Sequence, residues 1–416
     1  MFQDFSDFLQ KCPTPFHFTQ YAREILTDQG YTEWFESNPP EQLPKKSFVI
    51  RDERSLLVFN CNGLENATIS ATHDDSPVLK LKQNYEVVEN GYIRLCVNTY
   101  GGGRWITWID RNLRCVGRVF VRESGKIVSK LFDSKKGICI IPSLAVHYDS
   151  SMALNPKYDI NEGFNPIFGL ENGRHFKDYV ANTLGVNVQD IVDWELGFVD
   201  AKPPSQVDDF ILAQRLDNMI TTYQCFKAFL NSSPPEGSTT ILWVNDNEEI
   251  GSNTRCGAQS NFLSSGLSIL TQSEKSPENH NKLVKLLSNS FLISGDVNHA
   301  IHPSIHSGSG VLQNGITVEL NPNVEATCTD IIGSTVFSSA AQKIGAKYQT
   351  IISRVNGGGS TLGPYAVQHF GVRGVDAGQA VLAMHSIRES TSISDIQDGI
   401  NIIKELNEHL TEHFHP

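Results

Sequence analysis

The sequence predicts an α/β fold, a mixed sheet flanked by helices, with a mainly β domain inserted into it. Apolar runs that read as buried strands stop abruptly at polar clusters: residues 67–72 before His73, 240–244 before Asn245 to Gly251, 290–294 before Gly295-Asp296, and 380–384 before His385. Over residues 208–416 such strands alternate with helical segments, as an α/β sandwich requires. Residues 83–207 instead carry shorter alternating segments, such as 92–97 and 116–121, separated by Gly and Pro. With 416 residues the chain exceeds what one core supports. The expected division is therefore a catalytic domain from residues 1–82 and 208–416 and an inserted β-rich domain over 83–207, closing near Lys202-Pro203-Pro204-Ser205.

The elements follow in chain order. A helix-like start precedes strands at 47–50, 56–59 and 68–72, and no fixed-period repeat intervenes. After the insert, residues 218–230 and 281–287 read as helices. A last helix follows His385, with Ser394-Asp395 as caps and Ile396, Ile400, Ile403, Leu406 and Leu410 at helical spacing for the core.

A net charge of -12 argues against nucleic-acid or anionic-membrane partners, which want a basic face. No segment is apolar enough to span a bilayer, and the acidic amino terminus does not resemble a secretory signal. The eight cysteines are scattered without a C-x-x-C pair, which suits free thiols in a reducing cytoplasm. A cytoplasmic location is the expectation.

The polar residues that end the strands carry the chemistry. In open α/β sheets ligands bind beyond the carboxyl ends of the strands, so residues distant in sequence meet there. His73, Asp217, Glu249, Asp296 and His385 supply imidazoles and carboxylates, the donors of hydrolytic zinc. Two ions fit if one carboxylate bridges. The assignment is Asp217 as bridge, His73 and Asp296 completing one site, Glu249 and His385 the other. Glu248, adjacent to Glu249 and so diverging from it, is left as general base and then general acid. Asp75, two residues after His73, is placed to hold the other ring nitrogen. Manganese or cobalt could replace zinc at one position, because oxygen and imidazole donors select poorly among divalent ions.

Several segments then resemble the aspartyl aminopeptidase family of co-catalytic zinc metallopeptidases. They are Thr72-His73-Asp74-Asp75-Ser76-Pro77, Tyr100-Gly101-Gly102-Gly103-Arg104-Trp105, Arg215-Leu216-Asp217-Asn218, Asp246-Asn247-Glu248-Glu249-Ile250-Gly251-Ser252, His299-Ala300-Ile301-His302-Pro303 and Ala383-Met384-His385-Ser386-Ile387-Arg388-Glu389. The resemblance implies a co-catalytic zinc exopeptidase fold, hydrolysis of N-terminal residues from peptides, and a homododecamer whose subunit contacts the insert makes. It also implies that His147 reaches a neighbouring subunit's active site and helps stabilise the oxyanion there.

Two departures bear on substrate. The run Val355-Asn356-Gly357-Gly358-Gly359-Ser360 lacks the Asp and Cys usual in the family, and around Gly358 it offers either backbone access to a peptide or a turn. Glu319 stands where acid-preferring members carry a lysine, which predicts that acidic N-terminal residues are poor substrates. A related di-zinc carboxypeptidase or deacylase, or a non-catalytic scaffold particle, are the alternatives. His299, His302 and His306 read as surface or supporting groups, because the ligand set is complete without them.

Overall fold

Eight consecutive buried residues, Asn66–His73, form a strand that water reaches on neither face. Ser238–Asn245 and Phe291–Gly295 are buried in the same way, so the sheet they share is covered on both sides. This is a computed structural model, and it describes residues 1–148, 150, 158–159, 163–305, 309–320, 327–352 and 362–414.

The main sheet has nine strands, and its centre fixes the site. Asn66–His73 pairs in parallel with Ser238–Asn245 on one side and with Phe291–Gly295 on the other. Phe291–Gly295 pairs in parallel with Arg373–Gly378. Beyond Ser238–Asn245 the strands Ser55–Cys61 and Lys46–Arg51 run antiparallel. Side chains alternate across the sheet. Leu56, Val58, Leu242, Val244 and Ile293 enter one core with helices Phe2–Lys11, Leu216–Leu230 and Ser394–His413. Leu57, Phe59, Ile241, Trp243 and Leu292 enter the opposite core with helices Phe262–Thr271 and Leu362–Phe370.

Between Val78 and Asp200 the chain builds a second sheet that closes on itself. Ile191–Asp200 pairs with Val78–Glu89 at one edge and with Asn112–Glu123 at the other, making a barrel. Among the described strands closure leaves Lys126–Asp133, paired with Asn112–Glu123 alone, as the remaining edge. Leu79, Leu95, Val119, Phe132 and Phe198 fill it, and one helix, Phe176–Leu184, adds Phe176 and Val180. The fold class is the one expected: a mixed α/β sandwich interrupted by a mainly β domain.

Some local expectations are corrected. Residues 380–384 do not form the strand leading to His385; the strand in the sheet is Arg373–Gly378, and Ala380–Val381 is a two-residue piece pairing with Asn298–His299. The buried Gln379 amide donates to Thr391 Oγ1 and the Ser392 carbonyl, drawing the chain out of the sheet. Ser394-Asp395 does not cap the last helix from outside, since the helix begins at Ser394. The Asp209 carboxylate accepts from the Ser394 amide, and Asp395 accepts from the Gln313 and Gly315 amides. Ile396, Ile400, Ile403, Leu406 and Leu410 do pack into the core. Among the described residues no helix is long and apolar enough to cross a membrane, and all eight cysteines are free thiols.

Candidate metal centre

Three adjacent parallel strands end at one edge, and their carboxyl ends deliver the polar residues. His73 closes Asn66–His73, Glu248 and Glu249 follow Ser238–Asn245, and Asp296 follows Phe291–Gly295. Neighbouring strands lie about 4.8 Å apart, so these ends meet without distortion. Asp217 arrives from the amino end of helix Leu216–Leu230, in non-helical conformation and joined to Asn218 by a cis peptide bond. Hydrogen bonds tie that end to the strands. Ser76 Oγ donates to the Asp217 carbonyl (2.6 Å), Asn218 Nδ2 to the Gly295 carbonyl (2.7 Å), and Thr222 Oγ1 to the His73 carbonyl (2.6 Å).

Two clusters result, His73–Asp217–Asp296 and Asp217–Glu249–His385. His73 Nε2 lies 3.5 Å from both Asp217 Oδ1 and Asp296 Oδ1. His385 Nε2 lies 3.0 Å from Asp217 Oδ2 and 3.6 Å from Glu249 Oε2. Donors about 2.0–2.2 Å from a tetrahedral ion stand roughly 3.3–3.6 Å from one another, so the spacing suits one divalent ion per cluster. Asp217 gives one oxygen to each. Glu248 turns the other way from Glu249, with Oε2 3.8 Å from His73 Nε2.

Both imidazoles are held from behind. His73 Nδ1 is 3.2 Å from Asp75 Oδ1 and from the Asp75 carbonyl, acceptors that keep the ring proton on Nδ1 and leave Nε2 to bind. His385 Nδ1 is 3.1 Å from the Gly102 carbonyl, so the barrel reaches into the centre. Gly101 has positive φ, and a Cβ there would lie 3.1 Å from Glu249 Cβ. Gly101-Gly102-Gly103 is thus a close backbone approach that supports a histidine.

The charges are unbalanced. The described ion pairs of Asp217, Glu248, Glu249 and Asp296 are all to histidine, with no lysine or arginine within 4 Å. Glu249 Oε1 is buried without a hydrogen-bond partner. Burial, with Asp296, Asp217 and Asp75 nearby, pushes Glu248 up to about 8 despite His73. Burial opposes a charge on His385, yet Asp217 and Glu249 raise it to about 10. His73 is likewise raised against its burial by Asp296 and Glu248. A divalent cation in each cluster would supply the positive charge that these carboxylates otherwise lack and would favour neutral imidazoles. The residues fit a pair of such ions.

Other expected site residues lie elsewhere. His147 is exposed in a barrel loop, Glu319 ends the strand Ile316–Glu319 that lies between Arg373–Gly378 and the edge strand Tyr348–Ile351, and Gly358 and His306 fall outside the described residues. His299 has an exposed side chain whose ring is still partly shielded, and that burial lowers its pKa, with Asp217 raising it and His385 lowering it. Sequence reasoning gave no role to Tyr100 or Glu389. Tyr100 Oη donates to Asp75 Oδ2 (2.6 Å) and accepts from Asn247 Nδ2 (2.9 Å). Glu389 accepts from the Asp217 and His385 amides. The signal for Glu389 was an acidic residue opening the strand Glu389–Ser392, in a stretch that packs inside.

This arrangement defines a co-catalytic metallohydrolase on an α/β sandwich. The family profile Aminopeptidase I zinc metalloprotease (M18) matches residues 8–406. The chain is 31% identical to an aspartyl aminopeptidase of Dictyostelium discoideum, over 99% of this chain and 96% of that protein. It is 32% identical to a probable M18 family aminopeptidase 2 of Pseudomonas aeruginosa, over 96% of each. Among solved structures, the cryo-EM structure of the Ape4 and Nbr1 complex superposes with TM-score 0.93 at 28% identity, covering all of this chain and 87% of that one. Yeast aminopeptidase 1 gives 0.84 at 27%, covering 99% and 97%. The chain belongs to the M18 family of zinc aminopeptidases, and its activity is hydrolysis of N-terminal residues from peptides.

Proposed function

We propose that this aminopeptidase works through two zinc ions that share Asp217, with His73 and Asp296 completing one site and Glu249 and His385 the other. The observation that carries the reading is the split of the Asp217 carboxylate, one oxygen toward each histidine. Zinc supplies a water of lowered pKa and positive charge for the carbonyl oxygen, and manganese or cobalt can stand in for it at one site. Glu248 takes the proton of the attacking water and passes it to the leaving amine. Its burial and its separation from Glu249 support that division of labour. Asp75, held by Tyr100 and by the Glu248 and Glu249 amides, fixes the His73 ring.

Within the family the chain reads as an aspartyl aminopeptidase relative whose preference has moved away from acidic residues. Glu319 is the reason. Its strand pairs antiparallel with Arg373–Gly378 at Val318↔Ala377, which sets Glu319 opposite Asp376, and Thr327 Oγ1 bonds both the Glu319 carbonyl and the Asp376 carboxylate. A glutamate at this position repels an acidic substrate side chain, where a lysine would pair with it. Neutral and basic N-terminal residues are the proposed substrates.

A dodecamer joined through the barrel is the proposed assembly, and the yeast relative described as a dodecamer matches with TM-score 0.83 at 26% identity. His147 is solvent-exposed on its own subunit, next to exposed Val146 and Tyr148, as a group that completes a neighbour's site should be. Free thiols throughout support a reducing cytoplasm. The test is to measure metal content and hydrolysis of aspartyl, leucyl and arginyl anilides on one preparation. Two ions per chain with leucyl or arginyl rates above aspartyl are expected; a clear aspartyl preference removes the Glu319 reading.

A further inference from the structure

Glu389 opens the strand Glu389–Ser392, four residues beyond His385, and is 1% exposed. Its Oε2 accepts from the Leu216 amide (2.6 Å) and the Asp217 amide (3.2 Å), and its Oε1 accepts from the His385 amide (2.8 Å). A single buried carboxylate thus grips the turn four residues before it and a second turn 172 residues away in sequence. Both turns hold uncommon backbone: Arg215 has φ 62°, Ala383 57° and His385 65°. For non-glycine residues such conformations persist only where the surroundings over-determine them. Arg215 is anchored on its far side, with Nη1 donating to the Cys12 carbonyl and Nη2 to the Leu9 carbonyl at the end of helix Phe2–Lys11.

We propose that Glu389 is a positioning residue that locks the Asp217 and His385 turns together, so that cation affinity at the Asp217–Glu249–His385 cluster depends on it more than affinity at His73–Asp217–Asp296. Two of the three donors in the former have their own amide on Glu389; one of three does in the latter. His73 and Asp296 have independent supports, Asp75 and Thr222 for His73 and the Val297 amide for Asp296. Three backbone amides converging on one side chain aim the donors without touching the ion. Glutamine has the same length but one acceptor oxygen, and its NH2 would face an amide N–H. Aspartate keeps both oxygens but is one methylene too short to reach both turns.

This inference rests on the two-cation reading. The test dialyses the holoenzyme against a series of buffered free-zinc concentrations, measuring bound zinc per chain, kcat and thermal stability for wild type and E389Q. Wild type is expected to hold two ions. In E389Q one of the two binding steps shifts by about 10–100-fold while the other moves by less than about tenfold. A range of free zinc then appears in which one ion remains, kcat tracks the second ion, and excess zinc restores it. Should E389Q fail to fold, E389D takes its place with the same expected order of affinities. Two ions in wild type with both steps unchanged in the variant, or with both weakened equally, overturn the positioning role alone. Fewer than two ions in wild type overturn the two-cation reading and this inference with it.

Discussion

Replacing Glu248 by glutamine separates the acid–base role from metal binding. Glu248 Oε2 lies 3.8 Å from His73 Nε2, beyond the 3.5 Å of Asp217 and Asp296, and its side chain keeps 17% exposure toward the opening. Its amide bonds Asp75 Oδ1 at 3.1 Å, a contact glutamine preserves. The variant therefore has the same shape and loses only a charge and a proton acceptor. General acid–base catalysis contributes about 10²–10⁴-fold. At about 1.4 kcal/mol per tenfold this is roughly 3–5.5 kcal/mol of barrier. Zinc affinity falls by at most about 100-fold, as for a supporting group, and saturating zinc offsets that loss. The assay is steady-state kcat on a leucyl anilide, with metal analysis of the same sample. Two bound ions with kcat down at least 100-fold is expected. A zinc-saturated variant keeping more than about a tenth of wild-type kcat, or one that cannot be refilled, refutes the assignment.

Three further outcomes follow from the geometry. Tyr100→Phe removes the 2.6 Å donor to Asp75 and the acceptor for Asn247 Nδ2 while leaving the Asp75–His73 contact in place, so kcat/KM falls about 10–100-fold and stability falls by about 1–3 kcal/mol. Glu319→Lys replaces a repelling acid by a pairing cation and raises aspartyl over leucyl kcat/KM by about 10–100-fold, the worth of one charged hydrogen bond; an unchanged ratio places Glu319 outside the substrate pocket. In the barrel, burial disfavours a charged Asp133, but Arg114 and Lys135 hold it down at about 2 against an ordinary 3.8. A depressed carboxylate stabilises the fold fully above its unfolded pKa and loses that contribution as pH falls toward 2. Asp133→Asn should cost about 1–2 kcal/mol in urea unfolding at pH 7, after allowing for solvent screening, and the deficit should shrink toward pH 2.

What could be read from the sequence was whatever rests on short-range pattern. The apolar runs ending at His73, Asn245 and Gly295 are central parallel strands, and in such a sheet the site lies where they stop. His385 was found for a partly wrong reason, because its approach is a turn set by Gln379 and not a strand. The missing pieces depend on contacts far apart in sequence. The closure of the barrel by Ile191–Asp200 onto two partners has no local signature. The Gly102 carbonyl behind His385 spans 283 residues, and triple glycine reads locally as a turn. Glu389 stood in a family-like segment without a role, since one side chain accepting from two distant loops leaves no periodic trace.

The most direct test of the shared carboxylate is zinc stoichiometry in Asp217→Ala. Wild type should hold two ions per chain. Because Asp217 gives one oxygen to each cluster, the alanine variant should hold neither at free-zinc concentrations that saturate wild type. Retention of one tightly held ion by the variant would show that Asp217 serves a single site and contradict the bridged centre.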